Sequence, residues 1–310
     1  MCLLIALFKV VPSAPLIVAA NRDEQYDRPA VAITTLRKAG PRMLGGRDEV
    51  AGGTWMAVNE YGVVAGLTNL PSPQGRDPAK RSRGELPVAL AAHQDAAAAV
   101  AWICATVNPA DYNPCWLMVG DRQSLFYVDL TGGNRPVARD LPAGTYVLEN
   151  APLLPESAKA GHVAGLIKAA LAAGNGDVRG ALATVLCDHS PGPAASRQDA
   201  GRPAASRQDA RPQDASPADA SLQEAGPDDA GLDDASLQDA SLHDAGPDDA
   251  GTDDASPNGD LSAACVHADG YGTRSAMIVT VGAAGRPAVQ VADGPSCQAP
   301  LLDVGELWAG

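Results

Sequence analysis

The sequence predicts an α+β fold in which antiparallel β-sheets are covered by α-helices. Segments typical of strands lie near both ends of the chain, and alanine-rich segments typical of helices lie between them. The chain has 310 residues, but residues 194–259 form an acidic stretch of simple composition. Residues 1–193 and 260–310 then leave about 240 residues, a length that suits a single domain with its own core.

The first two strands are predicted from apolar runs at residues 3–8 and 16–20, separated by Lys9 and a turn with two prolines. Short apolar runs bounded by prolines are typical of the buried strands of a hairpin. A signal peptide is the competing interpretation, but the stretch has no basic start and Lys9 interrupts its apolar run. Because no run reaches about 18 apolar residues, we expect a protein without a membrane span, located in the cytoplasm.

The rest of the chain alternates between strand and helix patterns. Helices are expected where alanine and other good helix formers dominate, at residues 85–106, 156–172 and 177–187. Strands are expected at the remaining apolar runs, at residues 54–58, 62–67, 115–120, 125–130, 145–148, 275–281 and 288–292. This order of strands, then helices, then strands favours layers of antiparallel sheet covered by helices.

The acidic stretch carries most of the net charge of −14, because residues 194–260 contain 16 Asp and Glu against 4 Arg. From residue 205 to residue 259 the sequence repeats in units of five that begin with alanine. The period is similar to that of a pentapeptide β-helix, but proline occupies many of the inward third positions, where such a coil needs N–H groups. Dense like charge and few apolar residues therefore predict a disordered insertion at residues 194–259.

Composition also argues against several classes of function. Outside the acidic stretch the charge is nearly balanced, so we expect no nucleic-acid partner. Six cysteines without C-x-x-C spacing argue against a zinc site or a disulfide framework, and the five histidines are expected to form no cluster. No P-loop, dinucleotide-binding or H-E-x-x-H motif occurs. We therefore expect no metal and no cofactor, and the oligomeric state stays open.

The most informative position is Cys2, because a small second residue allows methionine aminopeptidase to remove Met1. The mature chain would then begin with a thiol nucleophile and a free α-amine. The amine titrates near pH ~8 and a free thiol near ~8.5, so the amine can accept the thiol proton without a histidine. N-terminal nucleophile hydrolases work in this way. The alternative is that Cys2 is only a small residue at the start of a strand.

Residues 21–24 spell Asn-Arg-Asp-Glu directly after the second predicted strand. Further sequence blocks follow in the order of one known family: Gly45-Gly46-Arg47-Asp48 with Ala51-Gly52-Gly53-Thr54-Trp55, Val64-Ala65-Gly66-Leu67-Thr68-Asn69, Ser82-Arg83-Gly84-Glu85-Leu86, Tyr112-Asn113 with Val119-Gly120-Asp121, and Tyr271-Gly272-Thr273-Arg274-Ser275. The chain therefore resembles the NRDE family, the group related to transport and Golgi organization protein 2. The resemblance extends from residue 1 to about residue 281, apart from the insertion.

This family is in turn similar to the cysteine branch of the N-terminal nucleophile hydrolases, typified by bile salt hydrolases and penicillin V acylases. The similarity implies a four-layer αββα sandwich of antiparallel sheets. It also implies that Cys2 is the nucleophile and that Asp23 holds the α-amine. Asn69 and Asn150 match the amides that donate to the developing oxyanion, a role worth ~3 kcal/mol for one donor. Asn69 also fits a turn before the Leu-Pro that follows it.

Three further residues, Arg22, Trp55 and Arg274, are expected around the substrate, each with an alternative role. Adjacent strand residues point to opposite faces, so only one of Arg22 and Asp23 is expected to face Cys2. The same two residues also fit a structural ion pair. Trp55 fits either the core or the wall of a pocket. Arg274 fits either a substrate carboxylate or a brace at the amine end of the site.

The resemblance implies one main function and one alternative. The main interpretation is a cysteine N-terminal nucleophile hydrolase that cleaves a non-peptide, linear amide C–N bond in a small molecule. The alternative is a non-catalytic carrier that handles haem, acyl-CoA or lipid, and a third possibility is a scaffold whose acidic insertion recruits partners. Retention of Cys2, Asp23, Asn69 and Asn150 together favours the hydrolase. A retained Met1 would block both the amine and the thiol.

Overall fold

The computed structural model describes residues 2–38, 40–72, 75–173, 176–192 and 261–309. The predicted disordered insertion, residues 194–259, lies outside the described residues, so that prediction stays a prediction. No helix within the described ranges is long and apolar enough to cross a membrane.

The described ranges contain fourteen β-strands and four α-helices. The first six strands are β1 Cys2–Val11, β2 Ala14–Gln25, β3 Ala30–Arg37, β4 Met43–Asp48, β5 Met56–Asn59 and β6 Val64–Asn69. The middle of the chain forms α1 Glu85–Leu90, α2 Ala96–Thr106, β7 Cys115–Gly120, β8 Leu125–Asp129, β9 Val137–Asp140, β10 Gly144–Leu148, α3 Ala158–Ala173 and α4 Val178–Leu186. The closing strands are β11 His267–Ala268, β12 Tyr271–Val281, β13 Ala288–Asp293 and β14 Leu302–Asp303.

These strands form two antiparallel sheets of seven strands each. The first sheet has the order β10-β1-β2-β12-β13-β14, and β11 pairs with β12. The second sheet is a meander that runs from β3 to β9 in chain order. The first sheet therefore brings the two ends of the chain together, because β2 pairs with β12 over most of its length.

Three apolar cores separate four layers of structure. Between the two sheets lie side chains such as Leu4 and Val18 of the first sheet and Met56 of the second. Helices α3 and α4 pack on the other face of the first sheet, around residues such as Ile5. Helices α1 and α2 pack on the outer face of the second sheet. The predicted fold class, a four-layer αββα sandwich of antiparallel sheets, is confirmed.

Burial on both faces explains why the sequences of β1 and β2 are continuously apolar. Along β1, Leu4 faces the second sheet whereas Leu3 and Ile5 face the helices. A half-solvated antiparallel strand would alternate apolar and polar residues, but a strand between two packed layers needs apolar residues at every position. The same alternation determines which face each polar residue at the end of β2 can reach.

The helix expected over residues 85–106 is divided in two. Helix α1 ends at Leu90 and α2 begins at Ala96, because Asp95 caps α2 by accepting the Ala98 N–H. The carboxylate of Asp121 also accepts the Ala96 N–H at 2.7 Å. These two acceptors satisfy N–H groups at the start of α2 that have no partner within the helix. Two carboxylate contacts, one exposed and one buried, thus mark the start of α2 within the alanine-rich run.

Candidate active site

Cys2 begins β1 and lies between two neighbouring strands of the first sheet. Its register partner on β2 is Arg22, and the β1–β10 register, in which Leu4 pairs with Leu148, places Asn150 on its other side. The Cys2 backbone N–H donates to Asn150 Oδ1 at 2.8 Å. Burial raises the pKa of the Cys2 thiol, and the charge of the Asp23 carboxylate also raises it. A thiol with a raised pKa stays protonated at neutral pH and needs a base before it can attack.

Asn150 connects Cys2 to the second sheet. Its Oδ1 accepts the Cys2 N–H, and its Nδ2 donates to the backbone carbonyl of Asn69, the last residue of β6. The Asn150 backbone N–H donates to Glu149 Oε2 at 3.0 Å, and Ser157 Oγ donates to Glu149 Oε1 at 2.6 Å. Three of the residues singled out from the sequence, Cys2, Asn69 and Asn150, therefore form one hydrogen-bonded group.

Asn69 offers an amide oxygen that the fold does not use. Its backbone pairs with Cys115 of β7, whereas its Oδ1 is buried and has no hydrogen-bond partner within the described ranges. Leaving a buried acceptor without a partner costs about 1–3 kcal/mol. A buried acceptor without a partner is rare in folded proteins.

Arg22 and Asp23 lie on opposite faces of the first sheet, and both are almost fully buried. Asp23 is on the helix-facing side, where Thr273 Oγ1 donates to its Oδ1 at 2.6 Å. Burial raises the pKa of Asp23, while the positive charge of Lys159 and the hydrogen bond from Thr273 act in the opposite direction. The Asp23 backbone N–H also donates to the Cys2 sulfur. Asp23 therefore acts on the Cys2 thiol in two ways, through its backbone N–H and through the charge of its carboxylate.

The guanidinium of Arg22 points toward the second sheet. It lies 4.5 Å from the Trp55 ring centroid and donates to Asp48 Oδ2 at 3.2 Å. Arg28 binds the same carboxylate with two hydrogen bonds of 2.8 and 2.9 Å, and Glu24 Oε2 lies 3.7 Å from Arg22. Burial alone would raise the pKa of Asp48, but these hydrogen bonds and charges hold it below its usual value. Arg22 is thus fixed by an acidic pair while its other side stacks on an aromatic ring.

The three predicted substrate-binding residues, Arg22, Trp55 and Arg274, line the same cleft. The cleft has a volume of only about 20 Å³, and Cys2 does not belong to its lining. Trp55 occupies this position because residue 46 is glycine, since a Cβ atom on Gly46 would lie 2.0 Å from the indole ring. In this conformation the cleft accommodates a group no larger than a water molecule or two.

Arg274 is engaged with the backbone of the turn after β2. Its Nη1 donates to the carbonyls of Gln25 and Tyr26 at 2.7 and 2.6 Å. A register shift between Thr273 and Ser275 marks a bulge at this point of β12. A bulge changes the direction of the extra side chain. These contacts hold the turn after β2, and both expected roles of Arg274 stay predictions.

Asn21, the first residue of the Asn-Arg-Asp-Glu block, has a structural role. Its Nδ2 donates to the carbonyls of Leu186 and Ala264, both at 2.9 Å. Asn21 therefore ties the end of α4 to the chain that follows residues 193–260. The block combines one structural clamp with two residues, Arg22 and Asp23, that lie beside Cys2.

Sequence reasoning missed two residues that contact or face Asp23. Thr273 lies in one of the quoted sequence blocks, so its position in the block is the signal that could have identified it. Lys159 is buried on α3, and its Nζ donates to the carbonyl of Leu261 at 2.9 Å. A single lysine in a predicted helix is usually exposed, so nothing in the local pattern indicated this position.

The expectation that the histidines form no cluster is wrong for His189 and His267. Their ring centroids are 5.1 Å apart, and the sulfur atoms of Cys265 and Cys297 lie beside His267. His189 and Cys297 are far in sequence from Cys265 and His267, so C-x-x-C spacing was not a sufficient criterion. The first sheet and the end of α4 bring them together.

A family model for Transport and Golgi organisation 2 matches residues 1–291. The chain belongs to this family. The resemblance to the NRDE family that the sequence blocks indicated is therefore confirmed. Because the match includes Cys2, Asp23, Asn69 and Asn150, the whole hydrogen-bonded group lies within the family region of this Transport and Golgi organisation 2 member.

Curated relatives are similar to parts of the chain. The mouse Transport and Golgi organization 2 homolog is 40% identical over 74 residues, which cover 23% of this chain and 26% of that protein. The Bos taurus homolog is 35% identical over 147 residues, which cover 44% of this chain and 51% of that protein. These matches span about a quarter and about half of the length of the two relatives.

Two solved structures of hydrolases are similar to this family member at low identity. A Caenorhabditis elegans ortholog of N-acylethanolamine-hydrolyzing acid amidase has a TM-score of 0.43 and 14% identity, covering 60% of this chain and 85% of that chain. The C2A mutant of conjugated bile acid hydrolase from Clostridium perfringens has a TM-score of 0.36 and 15% identity, covering 55% and 57%. The fold class rests on the four layers of the chain itself.

Proposed function

We propose that this protein is a cysteine N-terminal nucleophile hydrolase that cleaves a linear, non-peptide amide C–N bond once Met1 has been removed. The observation that carries the proposal is the 2.8 Å hydrogen bond from the Cys2 backbone nitrogen to Asn150 Oδ1. After removal of Met1 this nitrogen is the α-amine. A hydrogen bond that orients the amine beside its own thiol is what an N-terminal nucleophile requires.

The first step is attack of the Cys2 sulfur on the substrate carbonyl carbon. Burial keeps the thiol protonated at neutral pH, so the neutral α-amine accepts the thiol proton as the C–S bond forms. The resulting tetrahedral oxyanion needs hydrogen-bond donors. The amides of Asn69 and Asn150 are the donors we assign to it, and one such donor contributes about 2.7–4 kcal/mol.

Collapse of the tetrahedral intermediate breaks the C–N bond. The ammonium group of Cys2 returns the proton to the leaving amine, and an acyl thioester remains on the sulfur. Water then attacks the thioester with the α-amine again acting as base, and the carboxylic acid product leaves with regeneration of the thiol. Asp23, held by Thr273 at 2.6 Å, supplies a negative charge that favours the protonated amine between the two steps.

Substrate selection is assigned to the cleft between Arg22, Trp55 and Arg274. Arg22 stacks on Trp55 at 4.5 Å, which creates a surface that is both cationic and aromatic. Because the cleft measures only about 20 Å³, its lining must move before an acyl chain can enter. Ligand pockets for drug-sized molecules have about 300–1,000 Å³, so a haem carrier would require a much larger rearrangement of the same side chains.

Intact-mass spectrometry tests the proposal in one experiment. The purified protein is weighed before and after incubation with a mixed library of N-acyl amides. We expect a mass that corresponds to loss of Met1 and, with a substrate, an acyl adduct that peptide mapping places on Cys2. Cys2→Ala should abolish the adduct, and Cys104→Ala, at a half-buried cysteine outside the site, should retain it.

Iodoacetamide labelling across pH provides the second readout. An activated Cys2 should react faster than Cys104 at neutral pH. A retained Met1, or a Cys2 that labels no faster than Cys104, would contradict the hydrolase. A Soret shift on titration with haemin that is the same in Cys2→Ala would instead support the carrier.

A further inference from the structure

Two cysteines and two histidines meet at one edge of the first sheet. His189 follows α4, Cys265 and His267 lie two residues apart where β11 begins, and Cys297 lies in the loop after β13. The Cys265 sulfur lies 3.7 Å from His267 Nε2, so these two side chains face a common point. One ligand atom from each of the four residues lies within 4.8 Å of all the others.

The distances within this cluster are close to those of a tetrahedral metal site. The two sulfur atoms of Cys265 and Cys297 are 3.7 Å apart, and His267 Nε2 lies 3.7 Å from the first and 3.2 Å from the second. With Zn–S bonds of about 2.3 Å and Zn–N bonds of about 2.0–2.1 Å, a tetrahedron requires S···S and S···N separations of about 3.8 and 3.5 Å.

The orientation of His189 provides a separate indication. Its Nδ1 lies 3.2 Å from the carbonyl oxygen of Cys265. A ring nitrogen that donates to a backbone carbonyl leaves Nε2 unprotonated, with its lone pair available to a cation. Histidines that bind metals usually have their second ring nitrogen engaged in this way. The backbone of one ligand residue therefore selects the tautomer that a second ligand residue needs.

We propose that His189, Cys265, His267 and Cys297 bind one Zn²⁺ in a structural site. Two thiolates and two imidazoles form a donor set that suits Zn²⁺ among the common divalent cations. Four protein ligands complete a tetrahedron and leave no open position for substrate, which distinguishes a structural from a catalytic zinc site. The site is independent of whether Cys2 is catalytic.

The site would join the two chain segments on either side of the acidic insertion. Residues 190–264 separate His189 from Cys265 in the sequence, yet the Cys265 N–H donates to the carbonyl of Asp188 at 2.9 Å. The Gly192 N–H likewise donates to Ser262 Oγ at 3.0 Å. A metal ion that cross-links these two described segments reduces the entropy cost of ordering them.

The same segment leads to the candidate active site. The Val266 N–H, between the two ligands Cys265 and His267, donates to Thr273 Oγ1 at 2.9 Å. Thr273 Oγ1 in turn donates to Asp23 Oδ1. The proposed zinc site therefore adjoins the residue that donates to the Thr273 hydroxyl bound to Asp23.

Metal analysis of the full-length protein tests the site. The protein is produced under reducing conditions, equilibrated with Zn²⁺ and freed of excess metal. Its zinc content per chain is then measured by inductively coupled plasma mass spectrometry. We expect about one zinc per chain, and Co²⁺ in its place should give the absorption bands of tetrahedral thiolate coordination. Cys297→Ser and His267→Ala change exposed ligands and should each lower zinc affinity at least about tenfold. Cys104→Ser is the matched control and should bind zinc normally.

Thermal unfolding with and without chelator gives a readout that does not depend on metal counting. The chelator should lower the melting temperature of the unmodified chain and of Cys104→Ser but not that of Cys297→Ser. Absence of bound zinc, or zinc binding that is unchanged in both ligand variants, would overturn the proposal. A disulfide between Cys265 and Cys297 in the protein purified with reductant, detected by peptide mapping, would also overturn it.

Discussion

Replacing Asn69 by alanine separates a catalytic role of this residue from a structural one. The Asn69 Oδ1 is buried without a hydrogen-bond partner among the described residues, so the side chain adds a desolvation cost of about 1–3 kcal/mol to the folded state. Removing the Asn69 side chain relieves that cost. It also loses a similar amount of favourable packing energy, because the side chain is half-buried. The Asn69 carbonyl still accepts from Asn150. We therefore expect the free energy of unfolding to change by less than about 1 kcal/mol.

Catalysis should respond far more strongly than stability. Loss of one donor to the oxyanion lowers turnover by about 10²–10³, which corresponds to about 2.7–4 kcal/mol of transition-state stabilisation. Asn150→Ala is the informative comparison, because it removes two hydrogen bonds that involve Cys2 and Asn69. At about 0.5–1.5 kcal/mol each, those bonds predict a loss of about 1–3 kcal/mol in stability in addition to the loss of turnover.

Urea unfolding and single-turnover acylation of Cys2 measure the two quantities on the same preparations. Asn69→Asp serves as the control of equal size, since it keeps the volume and removes the amide donor. The reasoning is refuted if Asn69→Ala acylates within a few-fold of the unmodified chain. It is refuted equally if Asn69→Ala loses several kcal/mol of stability, because the residue would then be structural.

Three further predictions concern stability. Thr273→Val should lower the free energy of unfolding in urea by about 1–3 kcal/mol, because it removes the hydroxyl that binds Asp23 Oδ1 and the Val266 N–H. Thr273→Ser keeps the hydroxyl and should retain most of the stability. Equal losses in the two variants would contradict this. Asp48→Asn should be less stable than the unmodified chain at pH 7. Since the pKa of Asp48 is lowered in the folded state, its contribution is present above the unfolded value of about 3.9 and is lost as pH falls through the folded value. The difference between the two chains should therefore shrink as pH falls below the unfolded value and vanish below the folded value, and a difference independent of pH would refute the charge argument. Deleting residues 194–259 with a short linker should leave the melting temperature nearly unchanged, because doubling a loop costs only ~0.6 kcal/mol; a fall of many degrees would show that the repeat forms a folded element.

Most of the core strands were predictable, because their apolar runs are continuous. Residues 3–8 of β1 and 16–20 of β2 are buried on both faces of the sheet, so these positions select apolar residues. Five strands were not predicted: β3, β4, β9, β11 and β14. Of these, β3 and β9 form the edges of the second sheet and most of their residues are partly or fully exposed. An edge strand is held by its neighbour through backbone pairing, which leaves little trace in side-chain pattern.

The candidate site was predictable in its members but not in its arrangement. The Asn-Arg-Asp-Glu block and the position of Cys2 indicated the nucleophile and its neighbours. The assignment of Asn150 came from family resemblance, whereas its contacts with Cys2 and Asn69 depend on β10 pairing with β1. Lys159 carried no signal at all, since a lysine in a helix is buried only when the tertiary structure supplies a partner.

The sequence by itself indicated antiparallel sheets covered by helices, because these depend on local periodicity. Its short contiguous blocks indicated the family and, through the resemblance, the four-layer sandwich, whereas Cys2 as nucleophile stays a prediction. Only the tertiary structure decided that Arg22 and Asp23 lie on opposite faces of the first sheet. It alone also brings His189 next to Cys265, His267 and Cys297. Residues separated by 75 positions meet when strand order and packing bring them together. Strand order is decided by the simultaneous burial of both sheet faces. This burial depends on the whole chain, so no short stretch of sequence can reveal it.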